Sequence, residues 1–395
     1  MISNRERERQ TLDFKKPEDR GAVEETFYPW LLTAKRFKAD GMPIDIADSA
    51  KNVTSNIGVD KNEKYLPVSW GASVMKYEQY LGFDAVRRIS FVLPFRRFAE
   101  KVLETTKQYT IRQNLYGEKV IQYQGSELEL EHAPVIETMT DWQRLKEHAD
   151  RELELYYSDE ALEEAYGHLR KGHDEGEYSI RLNVEGFFWV PRGLMGIEPH
   201  LYAFYDEPEL MHDINEYVLE IYRTKLMKVI EMVQPDVVYI MEDLSGKTGP
   251  MISQDCFDEF VGDYYKQIIP LMKAKGVGNV FVDTDGEFTK LIPSFMAAGV
   301  DGFLPMDVNA GMDIVAVRAQ FPTLKFIGGF NKLEIAKGRE AIDKEFARIL
   351  PVIRGGGYIP GSDHQVAPST SLADYEYYIS KLKEIMKQAG ADAKK

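Results

Sequence analysis

The stretch Asn279-Val-Phe-Val-Asp-Thr-Asp-Gly-Glu-Phe288 opens as a buried strand and closes on two carboxylates set two positions apart, ahead of a glycine and a helical pattern. Side chains at i and i+2 of a strand lie on one face, so Asp283 and Asp285 are expected side by side. Packing alone does not ask for such a pair. Either like-charge repulsion raises one pKa and makes the pair a proton donor, or a cation sits between the two. The structural alternative is that Asp285 caps the following helix while Asp283 accepts a backbone hydrogen bond.

Working outward, the same grammar repeats. Val237-Val-Tyr-Ile-Met-Glu-Asp243, Gly302-Phe-Leu-Pro-Met-Asp307, Lys325-Phe-Ile-Gly-Gly-Phe-Asn331 and Gly357-Tyr-Ile-Pro-Gly361 are short apolar runs, each followed by an amphipathic segment. Strand alternating with helix predicts βαβ units and a parallel sheet. Each run ends in or near polar residues: Glu242/Asp243, Asp307, Asn331, and Asp363/His364. In an α/β (β/α)8 TIM barrel the C-terminal strand ends ring one mouth, where the active site lies. A doubly wound open sheet would want a glycine-rich phosphate loop, and no G-x-G-x-x-G follows a strand. The TIM barrel is therefore the expected fold.

The first half is less regular. Phe91–Phe95 and Tyr178–Val184 read as strands, Gln108–Arg112 and Gly117–Tyr123 as a hairpin turning at Asn114–Gly117, and Asp141–His173 as charged helix. With no Gly/Ser/Pro linker, residues 1–395 are read as one domain with an elaborated N-terminal part over about 1–175. Ser371, followed by Asp374, is the expected start of a last helix from Leu372.

In 395 residues, 64 Asp and Glu against 49 Lys and Arg give a net charge of -15, which argues against nucleic acid or an anionic membrane as partner. No apolar run is long enough to span a bilayer and the first residues lack a signal-peptide core, so a cytoplasmic protein is expected. The single cysteine, Cys256, excludes an intramolecular disulfide and a multi-thiolate zinc site.

Other candidates follow from position. Glu242 and Asp243 are consecutive, so only one can face inward; Glu242 is the expected one. His364 can complete a carboxylate/imidazole site with Asp283 and Asp285 or serve as an acid, or it is a loop residue. Tyr358 is an acid candidate as a strand-end phenol. Asn183, Phe188 and Trp189 can wall a ring, although core packing is the usual fate of such aromatics. Lys247 can hold a substrate carboxylate or be a solvated loop residue. Met306, Asp307 and Asn331 close strands at the expected mouth, Asp313 reads as a helix cap, and Gly328-Gly329 allow a close approach. Glu137, Glu152 and His173 are a further ligand combination, set in a stretch where solvated helix faces are the default.

At these strand ends the sequence resembles the uroporphyrinogen decarboxylase superfamily, and more closely its corrinoid-dependent methyltransferase branch, which includes O-demethylase components. The resemblance runs through Lys64–Asp84, Pro94-Phe-Arg-Arg97 with Tyr109–Gly117, Asp141-Trp142, Glu242–Pro250, Val282–Gly286, Leu304–Asp313, Gly328–Lys332 and Gly356–His364. It implies a methyltransferase that moves a methyl group from a small methoxylated compound, expected to be aromatic, to the Co(I) corrinoid of a separate protein. No Asp-x-His-x-x-Gly cobalamin signature occurs in the chain, so the corrinoid is expected on a partner protein; a homodimer is left open. Thiol-alkylating relatives hold zinc with a His-x-Cys pair; Asp283-Thr-Asp285 stands there instead, with Asp363-His364 near the later cysteine position. Zinc on Asp283, Asp285 and His364 stays an alternative to proton activation. Decarboxylases of the superfamily carry an arginine-rich N-terminal segment; Arg5-Glu-Arg-Glu-Arg9 reads as a solvated helix face instead. A porphyrinogen-type decarboxylase and a non-catalytic small-molecule-binding barrel are the alternatives.

Overall fold

The computed structural model describes residues 2–27, 29–43, 72–96, 98–114, 117–126 and 129–391. Residues 64–71, 97 and 115–116 of the motifs above lie outside them. The strands in chain order are β1 (Val86–Ser90), β2 (Lys101–Thr105), β3 (Tyr109–Gln113), β4 (Lys119–Tyr123), β5 (Leu130–Ala133), β6 (Ser179–Glu185), β7 (Val237–Met241), β8 (Ser245–Gly246), β9 (Gly249–Pro250), β10 (Asn279–Asp283), β11 (Gly302–Leu304), β12 (Lys325–Phe330) and β13 (Tyr358–Ser362). Seven of them form one parallel sheet in the order β1-β6-β7-β10-β11-β12-β13. This α/β architecture, with helices between successive strands, is of the TIM-barrel kind.

Alternation along the strands sorts the apolar residues onto two faces. Val237, Phe281, Leu304, Ile327 and Ile359 cluster on the inner face with Leu12 and Ala22. Val238, Ile240, Val280, Val282, Phe303 and Phe326 join the main core between sheet and helices. Among the described residues no strand pairs β1 with β13. Instead the buried segment Gly21–Thr26 runs between them. Asp84 N, just before β1, donates to Val23 O at 2.8 Å, and Arg88 of β1 donates to Glu25 O at 2.7 Å. On the other side Ser362 N and Oγ of β13 donate to Glu25 Oε1 at 2.6 and 2.8 Å.

Two sequence expectations are corrected here. The strand beside β6 at the edge of the parallel sheet is Val86–Ser90, and Pro94–Arg96, overlapping the end of the expected Phe91–Phe95 strand, is a 3-10 turn. Arg87 and Arg88 hid β1 from a hydrophobicity reading, because Arg88 points inward and is buried against Glu24 and Glu78 at 3.9 and 3.5 Å. Arg5–Arg9 is helical within Asn4–Leu12, but that helix plugs the N-terminal end of the barrel rather than facing water. Arg7 and Glu8 are buried, with Arg7 3.2 Å or less from Asp19 and 2.8 Å from Asp84, and Glu8 3.1 Å from Arg181.

The expected hairpin is present as β3 and β4 and is enlarged into the four-stranded antiparallel sheet β2-β3-β4-β5, inserted between β1 and β6. The charged stretch after it forms helices Met139–Tyr156, Asp159–Tyr166 and Arg170–Asp174. The last helix is Leu372–Ala391, and Ser371 Oγ accepts from Asp374 N at 3.1 Å. Among the described residues no helix is long and apolar enough to cross a membrane.

Candidate active site

Asp283 ends β10 on the inner face, in register with Met241 of β7, which is itself in register with Glu185 of β6. It is only 4% exposed, and no described residue donates a hydrogen bond to its carboxyl group. Burial, and then the nearby carboxylates of Asp243 and Asp285, push its pKa well above the usual carboxylate range. Burial thus favours the protonated form of Asp283, at the C-terminal mouth. Thr284 turns outward and its Oγ1 accepts from Leu244 N at 3.3 Å, fixing the ends of β7 and β10 together.

Asp285 lies over the mouth, half exposed, with its backbone N–H donating to Asp243 Oδ1 at 3.1 Å. His364, just past β13, brings Nε2 to 3.6 Å from Asp285 Oδ2. The N–H of Gln365 donates to His364 Nδ1 at 2.9 Å, which places the imidazole proton on Nε2, toward Asp285. The ring of His364 lies 5.2 Å from Phe27 and 6.1 Å from Trp30, stacked on the latter. The structure therefore brings Asp283, Asp285 and His364 to one mouth, as their strand-end positions predict, and adds an aromatic wall from the N-terminal segment.

Several other expectations are revised. Glu242, not Asp243, points away from the mouth: it follows Ile240 onto the outer face. There it accepts from Phe188 N at 3.0 Å, Trp189 N at 2.9 Å and the Tyr265 hydroxyl, and Gly186 leaves the space its carboxylate fills. Burial raises its pKa to about 7. Its role is to cap the helix Trp189–Met195. Asp243, with a left-handed φ of 42°, turns back to the acid cluster, and burial followed by Asp285 raises its pKa.

Tyr358 starts β13 rather than ending it and faces the outer core, donating to Gly328 O at 2.7 Å. Phe188 is fully buried, with His200 at 4.6 Å and Phe204 at 6.2 Å, so it packs the core. Trp189 is half-buried and carries the Arg192 guanidinium 5.0 Å over its ring; Arg192 also donates to Asp243 O at 2.7 Å. Lys247 is exposed in the turn between β8 and β9. Met306 is buried in the main core at φ 62°. Asp307 and Asn331 cap short helical turns, accepting from Asn309 N and Leu333 N, each at 3.0 Å. Asp313 caps the helix Ile314–Gln320, as expected. Gly328 is explained by packing: a Cβ there would lie 2.3 Å from Pro305 O. Asn183 faces inward one rung below Glu185, and its Oδ1 is buried without a partner.

Among the described residues no three His, Cys, Asp or Glu side chains are grouped to hold a metal ion. The Asp283, Asp285 and His364 arrangement therefore does not fit zinc as it stands. His173 is 2.7 Å from Asp236, away from a shared site with Glu137 and Glu152. The groups sequence reading missed are Asp243, Glu185, Tyr239, Phe27 and Trp30. Strict alternation from Val237 would have placed Tyr239 inward, while the Thr26-Phe-Tyr-Pro-Trp30 run, far from any strand end, carried no periodic signal. A cavity of about 40 Å3 bounded by Thr11, Phe14, Tyr358 and Met386 lies at the opposite, N-terminal side of β13 and shares nothing with this cluster.

Comparison with known proteins places this geometry in context. No curated protein sequence matches the chain. Among solved structures, a methyltransferase from Methanosarcina mazei superposes with a TM-score of 0.57 at 15% identity, over 97% of this chain and 99% of that one. A protein assigned as a vitamin-B12-independent methionine synthase from Listeria monocytogenes aligns over 95% of this chain and 98% of its own, at 11% identity and a TM-score of only 0.36. The first likeness supports the fold. The sequence profile of uroporphyrinogen decarboxylase (URO-D) matches residues 124–385, a span holding six of the seven parallel strands and both acidic strand ends of the mouth, and on that match the chain belongs to the URO-D family.

Proposed function

We propose that the chain is a methyltransferase of the URO-D superfamily that demethylates a small methoxylated aromatic compound, passing the methyl group to the Co(I) corrinoid of a separate carrier protein. The observation that carries this reading is Asp283: a carboxyl group whose burial favours the protonated form, with no hydrogen-bond donor among the described residues, on the inner face at the C-terminal end of its strand. In the proposed reaction the methyl carbon forms a bond to Co(I) as its bond to the ether oxygen breaks. The oxygen keeps the bonding pair and takes the Asp283 proton, leaving a phenol and a methylated corrinoid. A phenol has a pKa of about 10, so unassisted departure as phenolate is slow at neutral pH, and a positioned acid typically contributes about 10²–10⁴-fold.

Phe27, Trp30 and His364 are proposed to flank the aromatic ring, and Asp285 with His364 to keep Asp283 in contact with solvent protons. The Gly21–Thr26 segment, hydrogen-bonded toward both edge strands, is proposed to stand in for an eighth strand. The test is an assay with a reduced corrinoid carrier protein and a panel of methoxyarenes, following methyl-cobalt in the visible spectrum. Formation of the phenol with stoichiometric methyl-cobalt is expected, unaffected by chelator. Carbon dioxide from a porphyrinogen, with no methyl-cobalt from any donor, would replace this reading with the decarboxylase.

A further inference from the structure

β7 leaves the sheet through Asp243, whose φ of 42° lies in the left-handed region that glycine enters most readily. The turn returns the chain to the main core, where Leu244 is fully buried and its N–H reaches Thr284 Oγ1 at 3.3 Å. For the backbone alone glycine would serve better. Aspartate is among the side chains that tolerate this region, so the conformation by itself assigns no role.

Two contacts go beyond the turn. The Asp243 carbonyl oxygen accepts from Arg192 Nη1 at 2.7 Å, and the same guanidinium lies 5.0 Å from the centre of the Trp189 ring, so the helix Trp189–Met195 holds the kink. The carboxylate reaches across to the next strand end, where Oδ1 accepts the Asp285 N–H at 3.1 Å. Backbone bonds join these two chains from Glu242 N to Asp283 O at 2.9 Å and again from Glu287 N to Gly246 O at 2.9 Å. Between those two bonds side chains bridge the gap: Thr284 Oγ1 accepts from Leu244 N, and Asp243 Oδ1 from Asp285 N. Among the described residues nothing else accepts the Asp285 N–H.

We propose that Asp243 is a positioning residue: the kink held by Arg192 aims its carboxylate at the Asp285 N–H and so fixes the Asp285 side chain beside His364, 3.6 Å from Nε2. Its placement rests on the hydrogen bonds alone. Its effect on rate rests on the methyl-transfer reading, in which Asp285 and His364 return a proton to Asp283. Asp243 itself gives up no proton; it acts through Asp285.

Glycine and asparagine separate the alternatives. Asp243→Gly suits the kink and removes the acceptor, whereas Asp243→Asn suits the kink and keeps it. Hydrogen exchange at the Asp285 amide, referenced to the amides of β10, is followed by NMR in both variants and wild type. In parallel, kcat and KM for methyl-cobalt formation are measured with a reduced corrinoid carrier protein and a panel of methoxyarenes. The Asp285 amide should exchange at the wild-type rate in Asp243→Asn and ~10-fold or more faster in Asp243→Gly, with the β10 amides unchanged. The asparagine variant should keep kcat within ~10-fold and the glycine variant should lose ~100-fold, as a misplacement of about 1 Å does, with KM little changed in both. An Asp285 amide equally slow in all three proteins, or one that speeds up only together with the β10 amides, makes Asp243 a turn residue and overturns the proposal, while the transferase reading stands. A glycine variant as active as the asparagine variant overturns it too, and so does an equal loss of kcat in both, which assigns the effect to the missing charge. The expected exchange pattern without methyl transfer from any donor, even in wild type, keeps the positioning and removes the transferase reading.

Discussion

Replacing Asp283 by asparagine keeps its shape and removes its proton, which separates what the residue does for catalysis from what it does for folding. In the unfolded chain an aspartate titrates near 3.9. In the fold, burial and the carboxylates of Asp243 and Asp285 raise that value well above it. The sign follows: the folded state holds its proton where the unfolded state has lost it. Stability is therefore fully present below pH ~4 and falls as pH rises toward the folded pKa, by about 1.4 kcal/mol for each unit of the shift. Asparagine mimics the protonated form and escapes that loss. For a chain of 395 residues, 1.4 kcal/mol corresponds to roughly 1–2 °C in Tm. D283N should match wild type near pH 4 and melt progressively higher toward pH 8, while methyl transfer falls by about 10²–10⁴-fold. The wild-type rate should itself decline as pH rises through the Asp283 pKa. Paired melting curves across pH 4–8, with single-turnover methyl-cobalt formation at each pH, measure both. A variant that loses Tm equally at every pH, with activity kept, would show that Asp283 is an ionised structural group and not the proton donor.

Three further outcomes are expected. Glu242→Ala strips the acceptor from two buried N–H groups and the Tyr265 hydroxyl and should cost roughly 3 kcal/mol or more in denaturant unfolding; Glu242→Gln should recover much of this, with specific activity per folded molecule kept in both. Glu24 faces the buried guanidiniums of Arg181 and Arg88, so Glu24→Gln, which removes that counter-charge, should lower the unfolding free energy at pH 8 by roughly 3 kcal/mol, with a smaller loss near pH 4.5, where burial already favours the neutral carboxyl. Trp30→Ala should raise KM by about 10-fold with little change in kcat, because it removes a ring wall and no proton donor.

The legible parts of this fold were those where one physical signal acted alone. β10, β12 and β13 announced themselves through continuous apolar runs, and the sheet buries them on both faces. β1 did not, because Arg88 spends its charge on buried glutamates and so disguises an inner-face position as a polar one. The site divides the same way. Asp283, Asp285 and His364 were readable from strand-end position. The choice between Glu242 and Asp243 was not, since it turned on whether β7 kept its alternation through Met241, and the helix N-terminus at Phe188 and Trp189 claimed the carboxylate that did. Tyr358 was misplaced by one rule taken too far: a residue beside a strand end was taken to be at the mouth, although β13 begins there. The aromatic wall came from residues whose only connection to the mouth is tertiary.

The segment that lies between the two edges of the sheet sets a schedule for biosynthesis. Glu25 must wait for Ser362, its partner 337 positions later in the chain. At ~5–20 residues per second that wait is on the order of twenty seconds to a minute. Throughout it β1 and its neighbours hold an open edge, and the buried glutamates of the first helix and the following segment lack the last wall that shields them. A nascent chain arrested before residue 358 thus lacks β13 and leaves Glu25 and its segment without their far wall, and synthesis of that last strand, rather than any local helix or hairpin, is the event that completes this packing.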